Sequence, residues 1–137
     1  MNPKIRAQDV ARNLYVNYLR KSDECFRAAK DCFLKRDWNA AAICAIHSCI
    51  AASDAICIYF LGRRHAGPNH NNAAELIGTI KGGNEEAKNG ANRLRKILSI
   101  KNMAEYEERL MRRSEAEKLI KDTERFLAFA RSKLPGE

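Results

Sequence analysis

Between positions 63 and 72 the sequence gathers Arg63, Arg64, His65, Asn69, His70, Asn71 and Asn72. A guanidinium can fork onto a phosphate, and a neutral imidazole can take or give a proton near neutral pH. The spacings are Arg63-x6-His70 and Arg64-x5-His70. The sharpest chemistry they allow is phosphoryl chemistry, with His70 as acid/base, Arg64 as the electrophile and Asp54 or His47 as an orienting group. A solvated loop accounts for the same residues, its arginines ending one helix and its asparagines capping the next. A second basic run, Lys88, Arg93, Arg95, Lys96 and Lys101, has no acid from Lys88 through Met103. Arg93, Lys96 and Lys101 can share a helix face opposite Leu94 and Leu98. That face suits a phosphate backbone, and it equally suits water. Aromatic residues make up only 7% of the chain and none interleaves this run, so the sequence does not indicate a base-stacking platform.

His47 and Asp54 are seven residues apart, two turns along one helix face. A buried Asp54 needs a donor, and a neighbouring basic helix is the natural source. Glu105, Glu107 and Glu108 flank Tyr106, and Arg109, Arg112 and Arg113 follow; these read as surface charges. The five cysteines (Cys25, Cys32, Cys44, Cys49 and Cys57) form no CxxC pair and fall in helical stretches. Free thiols in a reducing, cytoplasmic setting are expected. Cys57, His65 and His70 lack metal-ligand spacing, so neither a metal nor a cofactor is expected.

These residues need a scaffold, and the composition supplies one. The chain has 137 residues with a net charge of +8, 45% hydrophobic content and few glycines or prolines. That is one folded domain, 1–137, and neither a collagenous nor a disordered chain. The charge suits a polyanionic partner. The opening MNPKIRAQDV has no apolar signal core.

Apolar spacing is helical almost throughout, with no two-residue alternation. Asn2-Pro3 predicts a helix start, and Val10, Leu14, Tyr18, Phe26, Ala29 and Phe33 predict its buried stripe to about Arg36. Asp37 is placed to cap the next helix. Residues 40–61 hold one formal charge, Asp54, over a length that could cross a bilayer. With His47, Ser48, Ser53 and many alanines they read better as the central helix of a bundle, and no membrane contact is expected. Gly62 ends that helix. A short helix is predicted over 73–80, then a break at Gly82-Gly83. The next helix starts at Asn84-Glu85-Glu86 and carries Ala87, Ala91, Leu94 and Leu98. Residues 101–113 are ambiguous. A capping box at Ser114–Glu117 predicts the last helix, with Leu119, Ile120, Leu127, Ala130 and Leu134, ending at Pro135-Gly136. The expected fold is all-α, an antiparallel up-and-down bundle of four main helices plus one short helix.

Three segments in this order resemble a HEPN domain (higher eukaryotes and prokaryotes nucleotide-binding). They are AIHSCIAASDAICIYFLG (45–62), RRHAGPNHNNAAELI (63–77) and LRKILSIKNMAEYEERLMRRSEAEKLIKDTERFLAFARSKL (94–134). The resemblance implies a helical bundle, usually a homodimer, with RNA-directed functions. Many members are metal-independent ribonucleases with an Arg-x4–6-His motif near the final helices, composed across the dimer. Others accompany nucleotidyltransferase partners in toxin–antitoxin pairs. At the matching place this chain reads Lys101-Asn102-Met103-Ala104-Glu105-Tyr106. Lys101 can neutralise a phosphate as a point charge, but Tyr106, with a reference pKa of about 10, is a poor general base at neutral pH. The expectation is a dimer that binds RNA or nucleotide with weak or no catalysis. Arg63, Arg64, Lys101 and Tyr106 would be its contacts, supported by Arg95 and Lys96. An active ribonuclease using Arg64 and His70, and a helical protein–protein interaction module, are the alternatives.

Overall fold

The computed structural model describes residues 6–67, 69–80 and 85–135. The Asn2-Pro3 start, the Gly82-Gly83 break, Asn84 and Gly136 lie outside them. In chain order the elements are β1 (Ala7–Asp9), a 3-10 turn (Arg12–Leu14), α1 (Tyr15–Leu34), α2 (Trp38–Leu61), β2 (Arg63–His65), α3 (Asn71–Gly78), α4 (Glu85–Leu98), α5 (Lys101–Tyr106) and α6 (Arg113–Lys133). The four long helices are those expected from sequence. α5 settles the ambiguous stretch and gives the bundle a second short helix.

α2 is the axis of the molecule. Its buried residues face every direction, from Ala41 and Ala42 to Ile56, Cys57 and Ile58. The helix is long and apolar enough to cross a membrane, yet 78% of its most apolar window is buried by the rest of this fold. Its small side chains let neighbours approach closely. Ser22 of α1 and Ser48 of α2 each donate a hydroxyl to the other's backbone carbonyl, both at 2.8 Å, inside the core. The Cys49 thiol donates to the Thr123 hydroxyl of α6 at 3.5 Å.

Contacts fix the directions of the helices. α1 is antiparallel to α2 through the Ser22–Ser48 pair and the tight 35–37 connection. α6 runs parallel to α2, since Met111 N–H donates to Asn39 Oδ1 at one end and Cys49 meets Thr123 further along. α4 is antiparallel to α6, as Lys133 reaches Glu86 while Gly90 faces Phe129. The expected up-and-down order follows.

Several local expectations are corrected. The first helix begins at Tyr15, because residues 7–9 form strand β1 against β2, with Ala7 opposite His65, Gln8 opposite Arg64 and Asp9 opposite Arg63. A non-local ladder satisfies these backbones, and opposite charges face each other at Asp9 and Arg63. On α1 the buried residues are Leu19, Ser22 and Ala29, while Leu14 of the predicted stripe is 39% exposed. Asp37 stands at the N-cap of α2 without a side-chain cap bond. The last helix starts at Arg113, so the box is not at Ser114–Glu117. Instead Glu115 accepts the Arg112 N–H at 2.8 Å and a fork from Arg109 at 2.6 and 3.0 Å. That fork, with the Arg112 N–H, holds the Glu115 carboxyl down to about 2. Gly62 ends α2 as expected, in the left-handed region at φ 70°.

Candidate nucleotide-binding site

β2 and α3 place two imidazoles side by side. The His65 and His70 rings lie 5.3 Å apart between centroids. His65 is buried and hydrogen-bonded to the Asn69 backbone. His70, the residue before α3, turns toward α5. Burial, helped by His65, Lys101 and His47, pulls its pKa below the usual histidine range, against the Glu105 carboxylate. Its Nδ1 is buried with no hydrogen-bond partner among the described residues. At neutral pH His70 is therefore a neutral imidazole.

α5 supplies the opposite wall. Lys101 and Glu105, four residues apart, form an ion pair at 2.8 Å with side chains only 17% and 13% exposed. The other Glu105 oxygen meets His47 Nε2 of α2 at 3.1 Å. The Lys101 ammonium also lies 5.2 Å from the centre of the Tyr106 ring. The bond to Glu105 raises the Lys101 pKa. Tyr106 is 72% exposed, an unusual position for so large a ring. Between these walls is an open hollow of about 320 Å³ lined by Asn69, His70, Asn71, Leu98, Lys101, Asn102 and Tyr106. Amides, a neutral imidazole, an ammonium and an open ring together can hold a base by its face and edge and a phosphate by its charge.

The residues singled out from sequence are distributed over three places. His70, Lys101 and Tyr106 share the hollow. Lys96 lines a second hollow of about 270 Å³ between α4 and α6 with Asn89, Asn92, Arg93, Asp122 and Arg125. Arg95 stands at its edge, donating to Asn92 Oδ1 at 2.8 Å. Arg63 is exposed on β2. Arg64 is committed to the strand pair, donating to Gln8 Oε1 at 3.0 Å and to the His65 carbonyl at 3.1 Å.

Asp54 and His47 share a helix but meet different neighbours. Burial raises the Asp54 pKa to about 7, against the pull of Arg64 and Lys21. Its opposing charges therefore come from β2 and α1. His47 belongs to the α5 cluster. Glu105 has the look of a surface charge in the sequence and is instead the residue that joins His47 to Lys101. Its only sequence signal is the four-residue spacing from Lys101.

A family model described as the HEPN domain matches residues 15–133, from the first residue of α1 to the last of α6. No curated protein matches the chain.

Proposed function

The chain belongs to the HEPN domain family, and from that premise we propose that it binds single-stranded RNA or a nucleotide in the hollow between α3 and α5. Family membership supports a nucleotide- or RNA-related function in general. The observation that carries the particular reading is the exposed Tyr106 ring with the Lys101 ammonium beneath it and the neutral His70 opposite. A base stacks on Tyr106, and the adjoining phosphate meets Lys101. Because Glu105 already holds Lys101, the phosphate contact is a shared one, and stacking and amide contacts supply a larger part of the affinity. A homodimer, a cytoplasmic location and a partner chain such as a nucleotidyltransferase or antitoxin belong to the same reading.

Catalysis is weak or absent in this reading, since Tyr106 stands where the family's active members carry histidine. The neutral imidazole of His70, which lines the hollow with Lys101, favours a second reading, metal-independent cleavage of RNA. There His70 would accept the proton of an attacking 2′-hydroxyl, and Lys101 or Arg64 would stabilise charge on the phosphate.

Fluorescence anisotropy with end-labelled single-stranded RNA, in EDTA, tests the first reading. Tyr106→Ala is expected to weaken binding about tenfold, in line with about 1–3 kcal/mol for a stacked base. Combining Lys101→Ala with Arg95→Ala should flatten the salt dependence. Unchanged affinity in both variants removes this site. Cut products on a gel from wild type, absent with His70→Ala, would make the protein an enzyme.

A further inference from the structure

At the opposite end of α2 from Asp54, five side chains form a groove that the nucleotide reading does not use. Phe33 and Leu34 close α1, Trp38 opens α2, and Arg36 and Arg113 complete a hollow of about 300 Å³. The Phe33 and Trp38 rings pack 5.0 Å apart at 59°. The Arg113 guanidinium lies 5.9 and 6.0 Å from their centres. Leu34 is 81% exposed, more than any other large apolar residue described. An aliphatic side chain held in water beside two aromatic rings makes a continuous apolar patch open to a partner.

The backbone adds a second observation. Arg36 has φ 66°, the one described non-glycine residue in the left-handed region. The Asp37 N–H bonds the Cys32 carbonyl at 2.9 Å and the Arg36 N–H bonds the Phe33 carbonyl at 3.0 Å, a helix end that glycine fits without strain. Arginine stands where glycine would meet no strain, and its side chain lines the groove.

Charge selects the occupant. Lys35, Arg36 and Arg113 are exposed around the groove, with Asp37 the acid within the connection. A second copy presenting the same face would set these cations against one another. Nucleic acid suits the groove poorly, because Leu34 offers no ring to a base and Arg113 already covers the two rings. We infer that this groove docks an acidic protein segment, one that inserts an aliphatic or aromatic side chain between Leu34 and Trp38 and sets carboxylates on Arg36 and Arg113.

Trp38 is the only tryptophan in the chain, so its emission reports occupancy directly. The probe is the peptide acetyl-Asp-Glu-Leu-Phe-Asp-Glu-amide, titrated into the full chain, with the same peptide carrying lysine for each acid and with oligoadenylate as comparisons. The acidic peptide is expected to change Trp38 emission saturably, and the lysine peptide and oligoadenylate are not. Arg36→Gly should weaken that binding about tenfold while raising Tm by about 3 °C. Leu34→Ser, on an exposed side chain, should weaken it with Tm unchanged. Silence toward the acidic peptide overturns the inference, as does an equal response to the lysine peptide or a response to oligoadenylate in its place. Unchanged affinity in Arg36→Gly does the same. An emission change that depends on protein concentration alone and is lost in Leu34→Ser would make a second copy the occupant and would also overturn it.

Discussion

Asp54 is a carboxyl in the core for which the attraction of Arg64 and Lys21 does not offset the cost of burial. With its pKa raised from 3.8 to about 7, the folded chain holds a proton there that the unfolded chain has released. The stability this contributes is complete below about pH 4 and is lost as pH rises through about 7. Asp54→Asn removes the titration while keeping the shape. Urea unfolding at pH 5 and pH 8 should show the variant gaining on wild type at the higher pH, by on the order of 3 kcal/mol. Parallel pH dependences would mean that Arg64 and Lys21 keep Asp54 ionised in the fold. Of the site residues, His70 and Tyr106 are visible in the sequence because their types are rare in this chain, and Lys101 because it stands in a run without acids. His47 and Glu105 meet across 58 positions, and no local pattern marks such a pair.

Elements are legible wherever their own composition determines them. α2 announces itself by a single charge in twenty-two residues, and the alternatives differ only in what surrounds it. β1 is hidden for the opposite reason. Three residues carry no periodicity, and their conformation comes from pairing with β2 across more than fifty positions. The α4–α6 contact is a further case, since nothing in the sequence shows why position 90 is glycine. A Cβ on Gly90 would overlap the Phe129 ring. Alanine would gain about 1 kcal/mol of helix propensity there. The clash forces the ring or the helix to move, and overpacking of this kind costs about 1–3 kcal/mol. Gly90→Ala is therefore expected to lower stability by about 1 kcal/mol in thermal unfolding, and adding Phe129→Ala should recover the propensity gain relative to Phe129→Ala alone. A stabilised single variant would show that the ring moves aside at little cost.

Across the whole molecule, the excess of eight positive charges is organised more than its total suggests. The α3–α5 hollow is nearly neutral, since Glu105 offsets Lys101 and burial disfavours the charged form of His70. The hollow between α4 and α6 sets Arg93, Lys96 and Arg125 against Asp122 alone, and Lys96 is only five positions before Lys101. Under the RNA-binding reading the two places divide the labour: the first holds a nucleotide, and the second draws the adjoining backbone. Length should separate them. A tetranucleotide confined to the first hollow is expected to bind with weak salt dependence, indifferent to the triple variant Arg93→Ala, Lys96→Ala and Arg125→Ala. A strand of about 16 nucleotides reaches further. Its log affinity should fall more steeply with log salt, and the triple variant should reduce that slope by about 0.7 for each phosphate that is no longer neutralised. Equal slopes for both lengths in wild type would confine binding to the α3–α5 hollow. A tetranucleotide weakened by the triple variant would place the first contact between α4 and α6, and Tyr106 would then be a ring exposed for another purpose.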